Sequence, residues 1–180
     1  VIDHVTIQRA GLLGIGGTQN DNSVVSNSVV SNNNTESFKN EPVAGGMKFT
    51  SARTLRIDNV DASNNNGSGI WCDVSSYDLT IVNNTANGNT KHGIEMEISD
   101  KAIIANNQAI NGGEDGIILF DAGNVKLFNN EVGGSSLFGL SCLFSFLRAS
   151  FHSILASSRL CRALALRAAS AASESNARSR

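Results

Sequence analysis

The sequence is poor in the features that announce most common activities. No stretch approaches the about 18 consecutive apolar residues of a membrane-spanning helix, so no membrane span is expected. Three cysteines, Cys72, Cys142 and Cys161, form an odd set without C-x-x-C spacing. That supports neither a disulfide framework nor a zinc site. No Walker, G-x-G-x-x-G or G-x-S-x-G motif stands in a strand–turn–helix context. No initiator methionine and no charged-plus-apolar leader open the chain, which therefore reads as a fragment with no signal peptide in view. Proline occurs once, at Pro42.

Charge and asparagine divide the chain in two. Through Gly134 there are 8 Lys and Arg against 15 Asp and Glu, a net charge of −7; beyond it, 6 Arg face the single Glu174, a net of +5. Of the asparagines, 21 precede Ser135 and only Asn176 follows it. The acidic first part has no basic stripe, so nucleic acid is not an expected partner. A repeat domain is expected over 1–134 and a Ser/Ala/Leu/Arg-rich tail over 135–180. In the tail an amphipathic helix can be drawn through Leu143, Leu147, Phe151 and Leu155. It could cap the end of a repeat stack, lie on a membrane surface, or be sequence from a shifted reading frame.

What is present is a period. Gly46-Met47, Gly69-Ile70, Gly93-Ile94 and Gly116-Ile117 follow one another at steps of 23, 24 and 23. Asn59, Asn83, Asn106 and Asn129 recur in phase at 24, 23 and 23. Two markers sharing one period announce a solenoid, and leucines at the fixed offsets of a leucine-rich repeat are missing. Within each copy apolar residues alternate with a spacing of two, as in "GIWCDVS", "GIEMEIS", "LTIVNN" and "AIIANN"; these are strands. Asn/Gly clusters such as "NGNTKHG" supply the turns between them.

Three short strands per coil and no helix predict an all-β parallel β-helix of about five coils, stacked at about 4.8 Å. Inward columns are expected to run Ile70, Cys72, Val74 over Ile94, Met96, Ile98 over Ile117, Leu119, with Cys72 an apolar core residue. The Asn59–Asn83–Asn106–Asn129 column is expected to be an inward ladder of side-chain amides. A surplus near 36–44 is expected to bulge from a turn.

The pattern in "GIWCDVSSYDLTIVNNTANGN" and "GIEMEISDKAIIANNQAIN" resembles the repeats of right-handed parallel β-helix proteins. That group includes pectate lyases, alginate lyases, mannuronan C5-epimerases and NosD-type carbohydrate-binding domains, and the resemblance covers residues 1 to about 132. It speaks for architecture far more than for chemistry.

Alternation places two outward columns on the Gly-Ile strands: Lys48, Trp71, Glu95, Ile118, and Thr50, Asp73, Glu97, Phe120. Asp73 and Glu97 are then neighbours about 5 Å apart, with Glu95 about 7 Å along the strand. Such a cluster should split carboxyl pKa values into acid and base, at a spacing that suits retaining glycoside cleavage. The same trio could instead hold Ca²⁺. Trp71 offers a flat face for a sugar ring, beside Lys48. The resemblance implies lyase or epimerase chemistry, in which His92 and Tyr77 are the proton-carrier candidates.

The expected protein is secreted or at the cell surface, a monomer, and acts on a polysaccharide by lyase, C5-epimerase or hydrolase chemistry. A non-catalytic carbohydrate-binding or adhesin-like solenoid is the alternative, and solvated acidic residues on a structural repeat are the plain one. The acidic balance speaks against an anionic polyuronate.

Overall fold

The computed structural model describes residues 1–144. In chain order the elements are β1 (Ile2–Asp3), β2 (Thr6–Gln8), β3 (Leu13–Thr18), β4 (Val24–Ser31), a single turn α1 (Asn40–Val43), β5 (Gly45–Thr50) and β6 (Arg56–Asp61). They continue as β7 (Ser68–Asp73), β8 (Tyr77–Val82), β9 (Ile94–Glu97), β10 (Asp100–Ala105) and β11 (Gln108–Ile110). The last are β12 (Ile117–Phe120), β13 (Gly123–Phe128), β14 (Glu131–Gly133) and β15 (Leu140–Leu143). Among the described residues all pairing between these strands is parallel, and none pairs with its neighbour in sequence.

Three walls result. The first is the six-stranded order β3-β5-β7-β9-β12-β15; the second runs from β1 and β2 through β4, β6, β8 and β10 to β13. The third is narrow, made by β11 on β14 and by the bridges of Asp61 with Thr85 and of Thr85 with Gln108. The chain therefore winds as a parallel β-solenoid of about six turns, one more than the sequence suggests. The additional rung is β15, which lies on β12 in the register Ile117↔Leu140 through Phe120↔Leu143. The stack thus continues past the composition break at 134. Leu143, the expected first member of a tail helix, ends that strand; Leu147, Phe151 and Leu155 lie outside the described residues.

The core forms as alternation requires. Ile70, Cys72, Ile94, Met96, Ile117 and Leu119 from the first wall meet Ile57, Leu79, Ile81, Ala102 and Ile104 from the second. Burial, and secondarily the charge of Asp73, pushes the Cys72 thiol up to about 12, which leaves it an inert packing group. Val74 and Ile98 depart from the expected inward columns and are 45% and 41% exposed. Each has a positive φ, +38° and +43°, so the chain turns the corner there and swings an apolar side chain out of the column.

The asparagine ladder exists, but in the expected column the amide bond described is the exposed one from Asn59 Nδ2 to Asn27 Oδ1, at 2.8 Å, and the buried ladder lies elsewhere. Asn59, Asn83, Asn106 and Asn129 are exposed, with φ between +52° and +58°; they are the corner residues themselves. The inward amides come one residue later. Asn84 donates its backbone N–H and its Nδ2 to Oδ1 of Asn107, at 2.9 and 3.0 Å, and Asn107 repeats both bonds to Asn130. A second ladder runs Asn33–Asn65–Asn89 at another corner. It also explains the glycine marker. A Cβ on Gly69 would stand 2.5 Å from Asn89 Nδ2, and one on Gly46 would stand 2.7 Å from Asn65 Nδ2. At this corner the amide occupies the space a side chain would need.

Candidate functional site

Register fixes which side chains share the outside of the first wall. Gly16, Lys48, Trp71 and Glu95 are successive Cα partners, followed by Ile118 and Ser141. Thr18, Thr50 and Asp73 form the next column, and Glu97 is aligned above Asp73 because Cys72 pairs with Met96. The partners of these residues along each strand belong to the core, so the columns face outward. Lys48, Trp71, Asp73, Glu95 and Glu97 are thus brought together as the sequence predicts. Tyr77 is not. It opens β8 on the second wall, is 39% exposed, and has Arg53 and Lys101 over its ring at 5.8 and 5.3 Å.

The site is also covered. The surplus residues before β5 fold back across the wall as a strap. Asn34 anchors its start, accepting the Phe38 N–H and donating to the carbonyls of Phe38 and Asn66. Further on, Pro42 O accepts Lys48 Nζ at 2.7 Å and the Glu41 carboxylate pairs with Lys91. Trp71 is only 3% exposed and Glu95 4%. The open indole face expected for a sugar ring is occupied by Lys48 Nζ, 3.2 Å from the ring centroid, with Lys91 Nζ at 5.3 Å.

Charges under the strap are matched internally. Lys48 Nζ meets Asp73 Oδ2 at 2.7 Å, both side chains being buried. Glu95 Oε2 accepts the Ser68 hydroxyl at 2.5 Å, and its Oε1 lies 3.9 Å from Lys91. Burial raises the Glu95 carboxyl to about 7, against the pull of Lys91 and Ser68. Of the two carboxylates, Glu41 is the one in direct contact with Lys91. Glu97 is raised as well, first by burial and then by Asp73. The buried Nε1–H of Trp71 has no partner of hydrogen-bond geometry, yet it lies close enough to Glu97 to offset part of that rise.

His92 lies at the entrance to β9, buried, with its pKa lowered to about 4 by burial and then by Lys91. Its Nδ1 accepts the Asp115 N–H at 3.3 Å, which assigns the ring proton to Nε2, 3.3 Å from Glu114 Oε2. The imidazole is neutral and held by the next coil rather than aimed at Asp73 or Glu97. Ser68 and Glu41 belong to the cluster and were not singled out from sequence. Ser68 stands just before its marker glycine, as His92 and Asp115 do; Glu41 carries no periodic signal. Among the described residues no group of three or more His, Cys, Asp or Glu is arranged to hold a metal ion, so Asp73, Glu95 and Glu97 do not make a calcium cage.

A parallel solenoid with a polar, strapped outer wall defines a class of repeat scaffold. The chain belongs to the right-handed β-helix family, whose description is "Right handed beta helix region", with residues 1–137 matched. Searches of curated proteins and of solved structures returned no match. Among the described residues no helix is long and apolar enough to cross a membrane.

Proposed function

We propose that this β-helix binds a polysaccharide along the outside of its six-stranded wall. The observation that carries the reading is the convergence of Lys48, Trp71, Asp73, Glu95 and Glu97 on one face over successive rungs; because the strap buries all but Glu97, a polymer meets this row beside the strap or once it has lifted. A row of polar groups at a fixed repeat matches a ligand that is itself a repeating chain. Such a ligand goes with a secreted or cell-surface location and asks for no second subunit. Affinity electrophoresis against a polysaccharide panel tests it: at least one polymer should retard the protein, and Asp73→Asn should weaken that retardation. A panel without any retardation would refute it.

Catalysis is the second reading, supported by one observation. Glu95, raised to about 7 by burial, stands two residues from Glu97 on the same strand, a disposition that suits paired-carboxyl catalysis. Lifting of the strap would have to precede any turnover, because Glu95 is buried. New reducing ends, or the ultraviolet absorbance of unsaturated uronates, lost in Glu95→Gln, would establish it.

A further inference from the structure

Beside the strap, over the first three rungs, the wall carries a groove open to solvent. We propose that this groove is the subsite at which a glycan is held, and that it takes an uncharged saccharide; the proposal rests on the glycan-binding reading above. The groove encloses about 470 Å³, within the range of about 300–1,000 Å³ usual for small-ligand pockets. It exists because the outward column begins with Gly16. Every later member, Lys48, Trp71, Glu95, Ile118 and Ser141, carries a side chain. A Cβ at Gly16 would touch only the Leu13 side chain, at 3.1 Å, so the gap is open rather than filled from elsewhere.

The chemistry of the lining selects the ligand. Thr18 and Thr50 hydroxyls lie 3.0 Å apart; one proton joins them and the other is free to donate outward. Asp73 uses Oδ1 for the Val74 N–H, at 2.6 Å, and Oδ2 for Lys48. Both oxygens are engaged and the side chain is buried, so Asp73 sets the charge of the groove while the threonine hydroxyls make its outward polar contacts. Pro42 and Val43 form the strap side, an apolar surface for the C–H face of a pyranose. The only cation of the lining, Lys48, already serves Asp73, the Pro42 carbonyl and the Trp71 ring. An anionic sugar would meet the Asp73 carboxylate and find no free counter-charge.

Matched polymer pairs test this: hydroxyethylcellulose against carboxymethylcellulose, neutral against acidic xylan, and methyl-esterified against de-esterified homogalacturonan. Binding is read by affinity electrophoresis and by the fluorescence of the single tryptophan, whose ring touches Lys48 at the groove edge. In any pair that binds, the uncharged member should bind at least about tenfold more tightly. Gly16→Phe, which fills the gap, should abolish binding with an unchanged melting temperature. The Thr18→Val/Thr50→Val double variant, which keeps the shape and removes the hydroxyls, should weaken it. Preference for the charged member, or binding indifferent to both variants, overturns the subsite and leaves the glycan-binding reading standing. Retention of no polymer overturns both.

Discussion

Asn83 and Asn84 are adjacent, identical and equally periodic, yet the structure assigns them opposite roles, and that contrast can be measured. Asn84→Ala removes the acceptor of the buried Val60 N–H, 2.9 Å away, together with the Nδ2 bonds to Ile57 O at 3.1 Å and to Asn107 Oδ1 at 3.0 Å. An orphaned buried donor costs about 1–3 kcal/mol, and each lost neutral bond about 0.5–1.5. Together they give a destabilisation of about 2–6 kcal/mol. At about 2–4 °C per kcal/mol for a chain of this size, the melting temperature should fall by roughly 4–24 °C. Asn83 is exposed, has φ +58°, and donates its amide to Asp58 Oδ1 at 2.8 Å. Asn83→Gly gives up that surface bond but suits the left-handed corner, so it should stay within about 1 kcal/mol of the parent. Urea and thermal unfolding followed by far-ultraviolet circular dichroism would compare the two. Equal losses, or a larger loss at position 83, would refute the assignment of the inward ladder.

Other outcomes follow from the same geometry. Glu41→Gln removes the ion pair with Lys91 that pins the strap; acrylamide should then quench Trp71 severalfold more efficiently, and unchanged quenching would show that the pin is elsewhere. The pairing with Lys91 also holds the Glu41 carboxyl below the usual carboxylate range. The wild type should therefore loosen in the same way only at acid pH, once Glu41 is protonated. Gly69→Ala should cost about 2–3 kcal/mol because its Cβ would press on Asn89 Nδ2 and on Ala62 O, 2.6 Å away. Gly133→Ala, with nothing within 4 Å, should change stability by under about 0.5 kcal/mol; similar losses in the two would discount the corner argument. Glu95 is raised from 4.5 to about 7 on folding, so its contribution to stability is present below pH 4.5 and is lost as pH rises towards 7. His92, lowered to about 4, acts in the opposite sense, with stability lost as pH falls from 6.5. The test is thus the difference between wild type and Glu95→Gln: the variant should gain in relative stability between pH 4.5 and 7, and a flat difference would place Glu95 in contact with water.

How far the sequence could be read depended on whether a feature repeats. The walls, the inward Ile, Met and Leu columns and the shared face of Lys48, Trp71, Asp73, Glu95 and Glu97 all follow from a period and an alternation. The ladder was legible as a device but not in its register. Each copy carries an Asn-Asn pair, and composition cannot say which member turns the corner with positive φ and which points inward. Val74 and Ile98 were misplaced for the same reason, since alternation continues on paper past the residue where the strand has already bent. A bulge at 36–44 was legible from the surplus length, but that it lies over Trp71 and Glu95 was not. That placement depends on Glu41 and Pro42, which occur in one coil only, and on contacts with Lys48 and Lys91 across rungs.

The strap also shows where such a chain is free to vary in length. Asn33 and Asn65 are 32 residues apart, whereas Asn65 and Asn89 are 24 apart, yet both pairs join by the same amide bonds. The extra residues leave the ladder undisturbed because they depart and return at one corner. A solenoid of this kind can exchange what lies over its wall by insertion at a turn, with the scaffold beneath held constant. Which corner is lengthened, and by what sequence, then decides what covers the wall.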